Sequence, residues 1–481
     1  MTTINRRIDE VWEREFTNIE QSLISEAREC GLLDALIREE LVPEIEFVYS
    51  SGNVNSCAKL IARVNHIRSP APHEWTLQML CDAALVHLRV EEISLKYGFT
   101  LVDAHFGNVI FRYGQPLFID LGSFARSTSK RFWQASQEYI SEIRRPIDLC
   151  AKGYGRFVHL SIEKGSIARD RLWTLSHPTM FKILKLIKLD NLAVVFRERL
   201  ALVGVFNLRQ GFLSYSMGRG RPETFDVLVR RFPQKNLNFI QILLKLLDLM
   251  TAILKPILVI NLSREIKKIT KIKKSHNYGY WSDYYQGKDT AVDQKWEVER
   301  FDTHFKLIRS LNIRSATDMG GNTGGFVAEL IRQGLIEFGC VLDSDESVLE
   351  IGRSHSIKEN IPISFACVDL TTLPSPDRVT PDRFASDLLC ALGLIHHMCL
   401  RYRMSFHHAL SNICSYPFKY LMIEFMPLGL TADGSSSKLP TWYEEKTFEE
   451  ELIKFVKIIK REKLNKSRVL YLCEANKLDH S

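Results

Sequence analysis

The sequence lacks the cysteine patterns that mark zinc sites and secreted disulfide frameworks. Its ten cysteines are scattered along the chain and include no CxxC pair. Cysteines with this distribution are typical of small buried residues in a reducing compartment. We therefore predict no metal site, apart from the one that Asn108 and Asp120 would form if the N-terminal half of the chain is catalytically active.

The sequence also lacks an uninterrupted apolar run long enough to cross a bilayer. Its most lipophilic segment, residues 239–262, is broken by Lys245, Asp248, Lys255 and Pro256. Charges inside such a span favour a buried or amphipathic helix over a transmembrane one. The first 16 residues are charged and have no apolar core of the kind found in signal peptides. We expect a cytoplasmic protein, with peripheral membrane contact left open by the basic stretch that follows residue 262.

A large excess of charge of one sign is absent as well. The net charge is +7 over 481 residues, and much of the excess falls in residues 263–276. That stretch is more typical of a solvated connector or an exposed helix face than of a nucleic-acid or lipid patch. No nucleic-acid partner is therefore expected.

The length favours two domains, which we place at 1–262 and 280–481 with a basic linker at 263–279.

From about residue 300 the chain alternates short apolar runs with helical patterns. The runs EFGCVLD, ISFACVD, SDLLCALGLI and YLMIEFM read as strands, and the segments between them read as helices. A helix from TFEEELIKFV and a last strand, RVLYLCEA, would complete the sheet. Apolar strands alternating with helices indicate a parallel sheet covered on both faces. The prediction is a doubly wound, Rossmann-like α/β domain.

A glycine-rich loop, ATDMGGNTGG, follows the first strand of this domain. Asp318, Gly320, Asn322 and Gly324 stand at every second position, and the loop departs from the GxGxxG dinucleotide fingerprint. Glycine permits a bound ligand to approach the backbone closely. Asp343 ends the second strand about 20 residues later, where a carboxylate can accept hydrogen bonds from ribose hydroxyls.

With Asp369 at the end of the third strand, these motifs resemble class I S-adenosylmethionine-dependent methyltransferases over about residues 280–476. The resemblance implies S-adenosylmethionine as cofactor, with the loop around its methionine part, Asp343 on the ribose and Asp369 at the adenine amino group. The implied cofactor site comprises Asp318, Gly320, Gly321, Asn322, Thr323, Gly324, Asp343 and Asp369. A nicotinamide-linked dehydrogenase is the competing enzyme, and the departure from GxGxxG counts against it.

His396 and His397 follow the fourth strand and are the candidate catalytic residues. A histidine whose pKa is close to 7 could take a proton from a hydroxyl or ammonium acceptor. The alternative is that one imidazole only packs against the edge of the sheet and supports it.

The segment IEFMPLG lacks the Asn-Pro-Pro-Tyr type of motif found in amino-methylating nucleic-acid enzymes. Trp281, Tyr284 and Tyr285 precede the domain and could either cover a sulfonium cation or pack between domains.

In the N-terminal half, Asp103, Asn108 and Asp120 resemble the catalytic and metal-binding loops of protein kinases and aminoglycoside phosphotransferases. The resemblance implies a mostly helical α+β, kinase-like domain, with Asp103 as base and with Asn108 and Asp120 on magnesium if the module is active. No glycine-rich phosphate loop precedes them, and Lys59 is the only faint candidate for the strand lysine. We therefore favour a kinase-like relic over an active phosphotransferase.

The two-part arrangement resembles a group of bacterial proteins that includes a rhizobial host-specific nodulation protein. That resemblance implies a methyltransferase acting on a small-molecule or oligosaccharide acceptor in the production of a nodulation signal. A cofactor-binding scaffold without turnover and an ATP-dependent phosphotransferase remain as alternatives.

Overall fold

A computed structural model describes residues 5–8, 11–49, 60–65, 69–127, 133, 135–164, 261–274, 294–372, 380–430 and 439–476. Lys59, Trp281, Tyr284 and Tyr285 lie outside these residues. Residues 165–260 lie outside them as well; this range includes most of the lipophilic segment, and its sequence pattern predicts mostly helices.

The N-terminal part begins with a four-stranded antiparallel sheet in the order β1-β2-β4-β3. Its strands are β1 (Asn5–Ile8), β2 (Val11–Glu15), β3 (Glu46–Tyr49) and β4 (Leu60–Asn65). Helices α1 (Asn18–Glu29) and α2 (Leu32–Arg38) lie between β2 and β3 in the chain. The sequence did not predict this sheet, because short strands such as NRRI and VWERE carry too many charges to show a clear apolar alternation.

A long buried helix, α3 (Leu77–Lys96), forms the centre of this part. The side chain of Thr76 caps its first turn, and Gly98, at φ 81°, follows its end. Strand β5 (Phe99–Leu101) pairs with β8 (Phe124–Arg126), and β6 (Val109–Arg112) pairs with β7 (Gln115–Phe118). Tyr113 and Gly114 both have positive φ, as a two-residue hairpin turn requires. The sequence itself predicts this arrangement, because residues 76–98 carry apolar residues at helical spacing up to Gly98, and VIF, RYGQP and LFIDL have the patterns of a strand, a turn and a strand. The structure confirms these predictions.

Further helices cover α3. They are α4 (Ser136–Glu138), a π-helical segment (Tyr139–Arg144), α5 (Arg145–Leu149), a second π-helical segment (Cys150–Tyr154), α6 (Gly155–Lys164) and α7 (Leu262–Lys274). Most of the stretch predicted as a basic linker is thus helical. Ile269 of α7 is fully buried in the core that α3 helps to form, so α7 docks through an apolar face and leaves all of its lysines except Lys273 exposed. The domain boundaries themselves stay a prediction.

The C-terminal part is a seven-stranded sheet in the order β11-β10-β9-β12-β13-β15-β14. The strands are β9 (Ser315–Met319), β10 (Phe338–Asp343), β11 (Ile363–Cys367), β12 (Ser386–Ala391), β13 (Phe418–Phe425), β14 (Val456–Lys463) and β15 (Val469–Ala475). The first five run parallel, and β15 is antiparallel to both β13 and β14. The chain order reverses between β9 and β12, which creates a crevice beyond their carboxyl ends.

Helices cover both faces of this sheet. They are α8 (Gln294–Ile308), α9 (Gly325–Arg332), α10 (Glu346–Glu359), α11 (Thr380–Arg383), α12 (Phe406–Cys414) and α13 (Glu445–Leu452). Successive strand residues alternate between two cores: Leu342 and Ile423 belong to one core, while Val341 and Met422 belong to the other. The predicted doubly wound architecture is therefore observed.

Strand β14 was missed by the sequence interpretation, which extended the preceding helix through TFEEELIKFV. The structure ends α13 at Leu452 and begins β14 at Val456. β14 lies at the edge of the sheet and reads VKIIKREK, with most side chains exposed or half-buried. Charged residues on an edge strand hinder pairing with other chains, and they also remove the apolar run by which a strand is recognised.

The two parts contact each other through α10 and the start of α3. The backbone N–H of Leu77 donates to Oε2 of Glu346 at 2.7 Å, and Arg353 donates to Asp82 at 2.7 Å and to the carbonyl of Gly114 at 2.8 Å. Arg383 donates to Glu74 at 2.8 Å. Among the described helices, none combines the length and the apolar character needed to span a membrane.

Candidate functional site

The glycine loop leaves β9 in a backbone conformation that ordinary residues avoid. Gly320, Asn322 and Gly324 have φ values of 71°, 52° and 77°. Glycine adopts this left-handed region without a steric cost, and asparagine adopts it more readily than most other residues. The alternating glycines and asparagine thus fold the loop back towards β10, where the N–H of Gly320 donates to the carbonyl of Leu342 at 2.7 Å.

Two of the glycines are also required by close contacts. A Cβ atom at Gly321 would lie 2.9 Å from Oδ2 of Asp318, and one at Gly324 would lie 2.9 Å from Cγ2 of Val341. Gly321 therefore lets the buried Asp318 carboxylate lie against the loop. Gly324 lets α9 start directly against the sheet.

Asp343 closes the loop from the neighbouring strand. Its Oδ2 accepts the N–H of Asn322 and its Oδ1 accepts the N–H of Asp345, both at 3.0 Å. Burial raises the pKa of this carboxyl, while the backbone hydrogen bonds act in the opposite direction. Each carboxylate oxygen has two lone pairs, so both retain room for a further donor such as a hydroxyl.

The loop, Asp343 and the end of β12 surround a cavity of about 260 Å³. It is lined by predicted cofactor residues and by both predicted catalytic histidines: Asp318, Gly320, Gly321, Asn322, Asp343, Asp369, His396 and His397. Thr323 and Gly324 belong to the loop but are not among the lining residues. The structure therefore brings together most of the predicted site.

Asp369 lies at the mouth of the cavity and is exposed. Its Oδ1 accepts from the backbone N–H of Thr371 at 3.0 Å and from the Thr371 hydroxyl at 2.6 Å. These bonds form a local turn that fixes the direction of the carboxylate. Asp369 is thus held as an acceptor at the rim.

His396 and His397 lie side by side at the start of a π-helical turn (His397–Arg401). Their ring centroids are 4.1 Å apart; His396 is buried and His397 is half-buried. Burial lowers the pKa of His397, and the positive charge of Arg401 lowers it further. His397 is consequently a neutral imidazole at pH 7 and can accept a proton.

Several lining residues were not found from the sequence. Arg468 precedes β15 and donates to Oε2 of Glu424 at 2.6 Å. Nε2 of His304 lies 3.1 Å from Oε1 of the same glutamate, and both His304 and Glu424 are fully buried. Arg156 reaches the cavity from α6 in the N-terminal part. The only available signal was Glu424 itself, a charged residue inside the apolar strand YLMIEFM, since a buried carboxylate requires partners.

The predicted N-terminal cluster also assembles. Nδ2 of Asn108 donates to Oδ1 of Asp103 at 2.8 Å, and the pKa of Asp103 is raised by burial and by the nearby charge of Asp120. Asp120 is paired with Arg14 of β2, which lies 3.5 Å from Glu20 of α1. The sequence interpretation looked for a lysine and overlooked this arginine.

Comparisons with known proteins give only distant similarities. No protein-family model matches the chain, and no curated protein sequence matches it. Among solved structures, a protein of Pyrococcus horikoshii aligns at 14% identity and TM-score 0.32 over 40% of this chain and 99% of its own. The N-methyltransferase NodS of Bradyrhizobium japonicum, in complex with S-adenosyl-L-homocysteine, aligns at 14% identity and TM-score 0.30 over 41% and 93%.

A third solved structure, an O-methyltransferase family protein of Burkholderia thailandensis, aligns at 14% identity and TM-score 0.28 over 37% of this chain and 56% of its own. Two of the three are thus methyltransferases. At these values the functional argument depends on the strand topology and the cavity.

Proposed function

We propose that the C-terminal part is an S-adenosylmethionine-dependent methyltransferase. The observation that carries the proposal is that the tips of β9 and β10, beside the reversal of strand order, bring the glycine loop and Asp343 onto one cavity. Ligands of open α/β sheets bind at such a switch point. Asp318, Asp369 and the two histidines complete the wall of the same cavity.

The polar groups of this cavity suit a ligand rich in hydrogen-bond donors. Oδ1 of Asn322 is buried and has no hydrogen-bond partner among the described residues, so it is available to a donor such as an ammonium group. Asp343 retains acceptor capacity for a ribose diol, and Asp369 offers a carboxylate to an amino group. The pyrophosphate of a dinucleotide would lie on the glycine loop and meet the carboxylate of Asp318 there, which argues against a nicotinamide-linked enzyme.

When bound, this cofactor supplies a methyl group already activated by its sulfonium sulfur. The residues of the chain then have to hold the two reactants in line and exclude water. His397, as a neutral imidazole, takes the proton that a hydroxyl acceptor loses on methylation, or the proton that an ammonium acceptor has to lose before its nitrogen can attack the methyl group. We assign this step to His397 rather than to His396, which is almost fully buried.

The acceptor is a small molecule or an oligosaccharide in this proposal. That choice, like the nodulation context, the cytoplasmic location and the absence of a nucleic-acid partner, is a prediction from the sequence. Incubating the protein with labelled S-adenosylmethionine and fractionated cell extract identifies the fraction that takes up label. Cofactor binding without transfer to any fraction would favour the scaffold alternative.

Calorimetric titration with S-adenosylhomocysteine tests the cofactor site. We expect Asp343→Ala to weaken binding by about 1.5 to 3 kcal/mol, because it removes hydrogen bonds to a charged group. Asp387→Ala is a matched control, since Asp387 also accepts two backbone N–H groups, from Arg314 and Ser315, but at the opposite end of the strands. Equal affinities for wild type and Asp343→Ala would reject the assignment.

A second candidate function, a phosphotransferase in the N-terminal part, is favoured by one observation. Arg14 of a strand pairs with Glu20 of the following helix and reaches Asp120. Protein kinases make a similar pair with a strand lysine and a helix glutamate, next to the aspartate that holds magnesium. Arginine differs from lysine in geometry, and here it neutralises Asp120 directly. We therefore propose that the N-terminal part is a kinase-like relic without phosphotransferase activity, and we keep an active phosphotransferase as the alternative.

Titration with ATP in the presence and absence of Mg²⁺ distinguishes these two interpretations. An active module would bind ATP in a magnesium-dependent manner that Asp120→Asn abolishes. Asp34→Asn, which changes an exposed carboxylate on α2, serves as the control. Wild-type protein that shows no magnesium-dependent binding would contradict the phosphotransferase.

A further inference from the structure

Three potential metal ligands meet where the two parts of the chain touch. His159 lies on α6, Glu346 begins α10, and Cys367 ends β11, the edge strand of the large sheet. One ligand atom from each residue lies within 4.8 Å of the other two. In a tetrahedral zinc site neighbouring ligand atoms are about 3.5 Å apart, so small side-chain rotations would close the cluster around an ion.

One ring nitrogen of His159 is available to bind a metal ion. Its Nε2 is buried and has no hydrogen-bond partner among the described residues. A buried polar atom without a partner costs free energy unless something binds it. Burial also lowers the pKa of His159, which keeps the ring neutral, the form in which an imidazole binds a metal.

Glu346 is held in place by only one of its oxygens. Oε2 accepts the N–H of Leu77 at 2.7 Å at the start of α3, and Oε1 makes no hydrogen bond with the described residues. Oε1 faces the start of α6, where a Cβ atom at Gly155 would lie 3.6 Å from it, an ordinary contact distance. The carboxylate therefore has one fixed oxygen and one that is available to an ion.

Cys367 contributes a soft ligand. Its Sγ is 3.8 Å from the carbonyl of Ser344, a weak contact. Burial and the charge of Glu346 raise the pKa of the thiol well above its ordinary value, so the thiolate forms only when a cation replaces the proton. A set of one sulfur, one nitrogen and one oxygen suits Zn²⁺ and related transition metals, and it does not suit Mg²⁺ or Ca²⁺.

We propose that His159, Glu346 and Cys367 bind one Zn²⁺-class ion that joins α6 to the edge of the large sheet. On binding, the Cys367 proton is released to solvent and water completes the coordination. Cys367 is the register partner of Asp343 and stands two residues before Asp369. The ion therefore stabilises the strand ends that carry two carboxylates of the cavity, and the cavity itself does not depend on it.

Metal analysis and zinc competition on the purified full-length chain test this proposal. We expect one zinc per chain, with affinity reduced at least about tenfold in His159→Gln and in Cys367→Ser. The matched controls are His355→Gln, an exposed histidine on α10, and Cys414→Ser, a half-buried cysteine on α12. Both controls should keep the wild-type stoichiometry and affinity.

Cobalt substitution supplies a readout that does not depend on methyl transfer. Wild type and Cys414→Ser should show a thiolate-to-cobalt absorption band that zinc removes and that Cys367→Ser lacks. Circular dichroism checks the fold of each variant, and His159→Gln, which replaces a half-buried side chain of α6, decides the question if Cys367→Ser does not fold. Wild type without bound zinc or a thiolate band, or His159→Gln with wild-type affinity, would overturn the proposal.

Discussion

A buried guanidinium lies in the contact between the two parts, beside the other hydrogen bonds that join them. Arg353 of α10 is 3% exposed, and its donors bind Asp82 at 2.7 Å, Glu350 at 2.8 to 3.1 Å and the carbonyl of Gly114 at 2.8 Å. Asp82 and Glu350 are also buried. We predict that Arg353→Met strongly destabilises the contact, because methionine fills part of the volume but leaves two buried carboxylates without this partner.

The expected magnitude follows from what each carboxylate retains. Removing one member of a buried ion pair costs about 3 to 5 kcal/mol, mainly because the remaining charge is buried without compensation. Asp82 keeps Lys273 as a partner, and Glu350 keeps the hydroxyl of Thr76. We therefore expect a loss near the lower limit, about 3 kcal/mol.

Urea unfolding followed by tryptophan fluorescence and by circular dichroism measures this loss. The two probes are needed because a chain with two parts need not unfold in one step. Arg332→Met is the control: Arg332, the last residue of α9, donates to Glu359 at the end of α10 in an exposed pair, and exposed pairs contribute little. If Arg353→Met is no more destabilising than Arg332→Met, the buried network does not hold the two parts together.

Three further predictions concern single residues. Glu91 is fully buried, and burial raises its pKa to about 7, so the folded state holds a proton that the unfolded state loses near pH 4.5. The free energy of unfolding should therefore fall by about 3 kcal/mol as the pH rises from 4.5 through 7. Thermal unfolding measured over this pH range should show a flatter dependence for Glu91→Gln. Gly321→Ala should weaken S-adenosylhomocysteine binding about tenfold in calorimetry by displacing Asp318, whereas Gly325→Ala, whose added Cβ meets nothing within 4 Å, should bind as wild type. His397→Gln should lower the rate of label transfer about 100-fold or more without changing cofactor affinity, and an unchanged rate would remove His397 from catalysis.

The sequence predicted those parts of the fold whose signal is local. Strands β9 to β13 are buried on both faces and therefore appear as continuous apolar runs, and the loop from Gly320 to Gly324 needs residues that tolerate positive φ. Asp343 could be placed beside that loop because parallel strands end at the same edge of the sheet. Strand β14 could not be predicted, since an exposed edge strand needs no apolar run.

The rest of the site depends on contacts between residues far apart in the sequence. Glu424 requires His304 and Arg468, and Asp120 is paired with Arg14 from a sheet that the sequence did not reveal. No local pattern specifies such partners, because a buried charge accepts any suitably placed opposite charge. These pairs become visible only when the tertiary structure is known.

Helix α6 links the N-terminal part to the proposed chemistry whether or not the Asp103 cluster is active. Gly153, at φ 88°, breaks the preceding helical run, so α6 starts in a new direction. Arg156 and His159 are three residues apart and therefore lie on one face of this helix. Arg156 lines the cavity and His159 meets Glu346 and Cys367 at the edge of the sheet. The N-terminal part thus contributes one side chain, Arg156, to the cavity lining, and a C-terminal fragment alone would lack both Arg156 and His159.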